Sequence, residues 1–176
     1  MLSELILTFV DVIKIGLISD THGYLHPRVT HFFKDCDEIW HAGDIGNVEV
    51  SDKLKEFKPF KAVYGNIDGA EIRKEFPKNL RITVAGLDVW ITHIGGYPNR
   101  YDRRVQEEIQ RTPPKLFICG HSHILKAVND KKLNLLHLNP GAAGKVGFHQ
   151  VLTLMRFNIK HGKILDLEVI ELEKRV

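Results

Sequence analysis

Seven side chains able to ligate a metal ion stand at the ends of short apolar runs in this sequence. Asp20 and His22 follow Ile-Lys-Ile-Gly-Leu-Ile-Ser, Asp44 follows Gly43, Asn66 follows Gly65, His93 follows Ile91-Thr92, and His121 and His123 share the tetrapeptide Gly120-His121-Ser122-His123. A carboxylate and an imidazole two residues apart can turn toward one ion, and a glycine beside a donor lets the backbone approach closely. Seven oxygen and nitrogen donors exceed what a single divalent ion takes. Two adjacent ions sharing one carboxylate fit the count, and such a pair activates water near neutral pH while clamping the oxygens of a phosphate for in-line attack. Imidazole, carboxylate and amide donors without thiolate suit manganese, iron, nickel or zinc. Each piece alone reads as a solvated loop; their succession at strand end after strand end is what points to a site.

The elements that must position these donors are legible from pattern. Ile13 to Ser19 is short, apolar and bounded by turn residues, as a buried strand is. A helix is expected over Pro27 to Lys34, opening with proline in its first turn, then a strand at Glu38 to His41, a helix across Val48 to Phe57 and a strand at Phe60 to Tyr64. Asp20 and Asp44 lie 24 residues apart, and Asp44 and Asn66 lie 22 apart; each interval is the length of one compact strand, helix, strand step. In such parallel sheets ligands bind beyond the carboxyl ends of the strands.

After Pro77 the texture turns strand-rich. Leu80, Ile82 and Val84 alternate with polar neighbours, and Gly86 turns the chain into Val89 to His93. A charged amphipathic stretch from Arg100 to Arg111 reads as a helix with Val105 and Ile109 inward, ended by Pro113-Pro114. Strands are expected at Leu116 to Cys119, Leu125 to Val128, Leu133 to Leu138, Val151 to Phe157 and Ile164 to Leu172, with turns at Asn129-Asp130 and His161-Gly162. The sum is an α/β fold of two mixed sheets packed as a sandwich with helices on the outer faces.

The chain has 176 residues, 43% hydrophobic and 27% charged, which excludes a disordered or fibrous class. Its length supports one sizeable core, so residues 13–176 read as a single domain behind an extension of residues 1–12. That extension is apolar, but Glu4 interrupts it, no basic region precedes it and no small-residue cleavage pattern follows, so it is not read as a signal peptide. No run approaches the roughly 20 apolar residues of a membrane span. A net charge of +3 and the lack of a basic stripe with interleaved aromatics argue against a membrane surface or a dedicated nucleic-acid surface. Cys36 and Cys119, without a C-x-x-C spacing, suggest a reducing cytoplasm; a homo-oligomer is left open.

Several residues read more plainly. His41 is as well placed to orient a ligand as to be an ordinary strand residue. His26, His31, His137, His149 and His161 read as surface or ordinary polar positions, although His26 is near enough to the first loop to reach a substrate. Arg100, Arg103 and Arg104 read as a solvated helix face in preference to a phosphate clamp. Trp40, Trp90 and Cys119 read as packing.

Asp20-x-His22, Gly43-Asp44, Gly65-Asn66, His93 and Gly120-His121-x-His123 together resemble the signature of the calcineurin-like metallophosphoesterases, in particular their small bacterial and archaeal phosphodiesterases. The resemblance runs from about Ile13 to the C-terminus and includes an Asn139-Pro140-Gly141 loop. It implies a two-sheet sandwich flanked by helices, with Asp20, His22 and His123 holding one metal, Asn66, His93 and His121 the other, and Asp44 bridging. Asp44, His93 and His121 are then the residues expected to serve catalysis. Larger members carry a histidine after the motif asparagine, where this chain has Ile67 followed by Asp68; leaving-group protonation, worth roughly 10² to 10⁴ in rate, must come from elsewhere, with His26 and Asp68 the first candidates. The activity implied is hydrolysis of a small phosphodiester. A monoesterase or nucleotidase is the enzymatic alternative, and a protein-interaction scaffold like the retromer subunit of this fold, whose ligands are partly lost, is the non-enzymatic one.

Overall fold

The computed structural model describes residues 12–174; the extension read at residues 1–12 lies, but for Val12, outside them. β1 (Ile13–Ile18) leads through α1 (Arg28–Phe32) to β2 (Glu38–His41), and through α2 (Val48–Phe57) to β3 (Phe60–Ala62). β1, β2 and β3 pair in parallel, Leu17 beside Trp40 and Trp40 beside Lys61. The two expected strand, helix, strand steps are therefore present. Pro27 stands at the N-cap position of α1 without a side-chain cap bond, and Asn47 caps α2 by accepting the Val50 amide at 3.0 Å, one of the orphan donors of a helix start.

The second half forms the other sheet. β4 (Asn79–Val84) and β5 (Leu87–Thr92) make a hairpin through Ala85-Gly86, both at positive φ, as a tight two-residue turn requires. β8 (Leu116–Ile118) lies parallel between β5 and β10 (Leu135–Pro140), and β9 (Leu125–Asp130) closes the edge. The long antiparallel pair β11 (Val151–Lys160) and β12 (Lys163–Lys174) returns to the first sheet beside β1. The two five-stranded orders are β12-β11-β1-β2-β3 and β4-β5-β8-β10-β9.

Strand alternation sorts the apolar residues into three layers. Ile15, Leu17, Trp40, Val89, Ile118 and Phe157 fill the space between the sheets. Ile18, Val29, Phe33, Ile39 and Leu54 form a second layer beneath α1 and α2, and Trp90, Val105, Ile109 and Phe117 a third beneath α4 (Arg103–Arg111). Each of the fully buried large side chains contributes about 1.5–3 kcal/mol.

Four expectations are corrected. Arg100 does not open the helix: Arg100–Tyr101 (β7) pairs with Gly96–Tyr97 (β6), and α4 starts after Asp102, whose carboxylate accepts the Arg104 amide. A short helix, α3 (Ala70–Glu75), lies where none was expected. The Asn129-Asp130 turn falls later, because β9 runs through Asp130, whose carboxylate then receives the amides of Lys132 and Leu133. Asn139 and Pro140 complete β10 instead of forming a loop.

Candidate metal centre

Asp20 and His22 leave β1, Asp44 leaves β2, Asn66 leaves β3, His93 leaves β5, and His121 and His123 leave β8. All five strand ends open on one crevice, and backbone bonds tie the loops across it. The Asp20 amide donates to the Gly43 carbonyl at 3.0 Å, and the Gly120 amide donates to the His93 carbonyl at 3.0 Å. Gly43, at φ +96, lies so close to the His93 ring that a Cβ there would sit 2.6 Å from Nδ1. Asp20, His22, Asp44, His121 and His123 all adopt positive φ, between 48° and 66°. Asp and His enter this region more readily than most residues, but five together mark strained turns that aim side chains inward.

Two groups of donors result. Asp20, His22 and His123 place one ligand atom each within 4.8 Å of one another, and Asp44, His93 and His121 do the same beside them. Asp44 Oδ2 faces both, 3.7 Å from His22 Nε2 and 3.2 Å from His93 Nε2. Asp20 Oδ1 lies 3.1 Å from His123 Nε2, 3.9 Å from His22 Nε2 and 4.0 Å from His93 Nε2. Asn66 Oδ1 joins the second group, 3.1 Å from His93 Nε2.

The surrounding hydrogen bonds leave these atoms facing one another as acceptors. His93 Nδ1 donates to the Ala42 carbonyl at 2.8 Å, so in the neutral ring Nε2 aims its lone pair at the oxygens of Asp44 and Asn66. Asp20 Oδ2 receives the Ser19 hydroxyl at 2.5 Å and the His121 amide at 3.1 Å, while Oδ1, fully buried, accepts no hydrogen bond among the described residues. Lone pairs converging this way repel unless a cation or proton lies between them. The donor set therefore fits divalent ions. Burial pulls the His93 imidazole down in pKa, but the Asp44 hydrogen bond and the Asp20 and Asp44 charges outweigh it, leaving the ring above its ordinary value. Burial pushes the Asp44 carboxyl up, and the His93 hydrogen bond and charge with the Ile67 amide hold it below the usual range. Burial, joined by the charge of His93, lowers His121.

Supporting residues divide into those the pattern flagged and those it passed over. His41 is fully buried; its Nδ1 accepts the Gly43 amide at 3.1 Å, which leaves Nε2–H to reach the Thr21 hydroxyl at 2.9 Å. Burial pushes this imidazole down to about 4, so it stays neutral and braces the first two loops. Asn139 holds the His121–His123 loop by donating to the Gly120 carbonyl at 2.9 Å and to the Ser122 hydroxyl at 3.1 Å.

His149 is not a plain surface residue. Its Nε2 donates to the Gly144 carbonyl at 2.9 Å, so its Nδ1 accepts from His123 Nδ1 at 3.1 Å and turns His123 Nε2 toward Asp20. His137 is buried against the Gly96 carbonyl. Asp68 is no free acid, since its oxygens accept the Gly46 and Gly65 amides, each at 2.7 Å. His26 turns to Glu173, 3.7 Å away. The groove over the metal-facing atoms is rimmed by Ile67, Ile124, Val146 and Phe148, all exposed.

Two mixed sheets with helices outside, and oxygen and imidazole donors gathered where the strands end, define a metallophosphoesterase-like protein. Residues 13–162 match the calcineurin-like phosphoesterase superfamily domain, and the chain belongs to that superfamily. A probable metallophosphoesterase of Methanocaldococcus jannaschii is 30% identical over 134 residues, covering 73% of this chain and 67% of that protein. Among solved structures, an archaeal phosphodiesterase superposes with a TM-score of 0.69 at 22% identity, covering 91% of this chain and all of that one. A Vps29 single mutant from Entamoeba histolytica gives 0.69 at 17%, covering 92% and 100%. These two likenesses establish the fold. No helix among the described residues is long and apolar enough to cross a membrane.

Proposed function

We propose that this chain is a metal-dependent phosphodiesterase acting on a small phosphodiester, with Asp20, His22 and His123 holding one divalent ion, Asn66, His93 and His121 a second, and Asp44 between them. The observation that carries this reading is Asp44 Oδ2, which faces His22 of one donor group and His93 of the other. Bound ions, with manganese the first candidate, supply Lewis-acid polarisation of the phosphate and activation of water. The protein's part is to hold seven donors in register. The Ala42 carbonyl fixes the His93 tautomer, Ser19 and the His121 amide orient Asp20, and Asn139 sets the loop carrying His121 and His123.

The diester preference is supported by what stands next to Asn66. Ile67 has no proton to give, and both oxygens of Asp68 are engaged by backbone amides. Departure of the alcohol then depends on its own acidity, which favours aryl diesters over alkyl monoesters. A Vps29-like scaffold needs no full donor set. The test is an assay of the manganese-loaded protein against bis-aryl phosphodiesters and alkyl monoesters, with metal content measured. About two ions per chain and faster diester turnover are expected. Saturation at one ion, or monoesters turned over as fast as diesters, overturns the reading.

A further inference from the structure

Beside Asn66 and His93 a second cleft of about 170 Å³ opens at the surface. That is several times the roughly 30 Å³ share of one water. Arg73, Lys78 and Arg104 line it together with the Tyr64 ring, and it shares Asn66 and His93 with the donor groups described above. No carboxylate lines it.

The three cations come from separate elements. Arg73 belongs to α3, Lys78 to the turn before β4 and Arg104 to α4. Arg73 is held in place: its Nε donates to the Asp68 carbonyl at 2.6 Å, its second terminal nitrogen donates to the Asn66 carbonyl at 3.0 Å, and its guanidinium lies 4.8 Å over the Tyr64 ring. These contacts orient the charge without neutralising it. Neither Arg73 nor Lys78 forms an ion pair with any described residue. Arg104 pairs through its Nε with Asp102 at 2.8 Å and reaches the Ile94 carbonyl with one terminal nitrogen at 3.5 Å, which leaves its other terminal nitrogen for a ligand. Like charges brought together repel, and with Asp102 meeting only the charge of Arg104, the cations of Arg73 and Lys78 beside it make an anion in the cleft favourable.

We propose that this cleft is a subsite for a second, non-scissile phosphate on the substrate, so that preferred substrates are small phosphodiesters with a terminal phosphate on one arm. The proposal rests on the phosphodiesterase reading, because Asn66 and His93 are what join the cleft to the reacting phosphate. Arg73 offers fixed donors, Lys78 a mobile charge and Arg104 part of a fork, which together match a tetrahedral dianion.

The test measures binding independently of turnover. Calorimetric titration of the manganese-loaded protein compares methylphosphonate with alkane bisphosphonates of graded spacer length. The best bisphosphonate is expected to bind at least about tenfold more tightly, the scale of one charge-assisted hydrogen bond. In the Lys78→Met/Arg104→Gln variant that advantage should fall toward one while methylphosphonate affinity holds. Equal affinity for the two ligand types in the native protein overturns the subsite. So does a variant that loses affinity for both alike, which would mean that the cleft takes a free anion on its own. Turnover of a bis-aryl phosphodiester, measured on the same samples, reports separately on the catalytic reading.

Discussion

A ring nitrogen binds a cation only when its other nitrogen carries the proton, so each candidate ligand depends on a partner that is not a ligand. For His93 that partner is the Ala42 carbonyl, and for His123 it is His149. The second case is testable, because His149 belongs to neither donor group and bonds to His123 of the first. His149→Phe keeps a ring of similar size but removes the acceptor, and manganese affinity should fall 10- to 100-fold. His149→Gln, whose amide oxygen can accept, should recover part of the loss. Titration of both variants decides it; unchanged affinity in His149→Phe would separate His149 from the site. Nothing in the sequence marked this residue. It sits on a loop without periodicity, 26 positions after its partner, and only the fold brings it back. The candidate ligands were legible because each follows an apolar run, a local pattern. Asp68 shows the opposite failure: adjacency to Asn66 suggested an acid, whereas Gly46 and Gly65 had already taken both of its oxygens.

At the scale of elements, the donors stand on sharp turns directly after strands, and the turns are held in a conformation that L-residues enter at a cost. His22, at φ 48°, gives a direct measure of that cost. Elsewhere in a protein a glycine variant is less stable than the alanine variant, because glycine loses more backbone freedom on folding. At His22 the order should reverse: His22→Gly should exceed His22→Ala by about 1 kcal/mol in denaturant unfolding of the chelated protein, since only glycine occupies left-handed backbone freely. The usual order would mean that the turn relaxes and stores no strain. Periodicity made the central strands and α2 legible, and helix ends were harder. Asp102 caps α4 and so cuts three residues, itself included, from the stretch that looked helical, leaving Arg100 and Tyr101 to pair with Gly96 and Tyr97. α3 was passed over because its six residues are shorter than the window in which a helical period shows.

Across the whole molecule, each donor group straddles the sandwich. The first takes Asp20 and His22 from the sheet built on β1 and His123 from the sheet built on β8; the second takes Asp44 from the former and His93 and His121 from the latter. Ions held by both sheets would fasten them at the end where strands stop and apolar packing thins. Without ions, the charges of the buried carboxylates Asp20 and Asp44 are met by a hydroxyl, backbone amides and the neighbouring imidazoles. Metal binding is then expected to couple to folding. A ligand present at a hundred times its dissociation constant stabilises by about 2.7 kcal/mol, and a domain of this size gains roughly 2–4 °C per kcal/mol. Two manganese ions, each at that excess, should accordingly raise the unfolding temperature by about 10–20 °C over the chelated protein in calorimetry. Asp44→Asn supplies the control. It keeps the shape of the side chain but removes the charge that His93 and the Ile67 amide stabilise, so its chelated form should unfold somewhat lower than the chelated native protein, while its gain with manganese should shrink by more than half. A variant that gained as much as the native protein would show that Asp44 does not hold the ions, which overturns its bridging role.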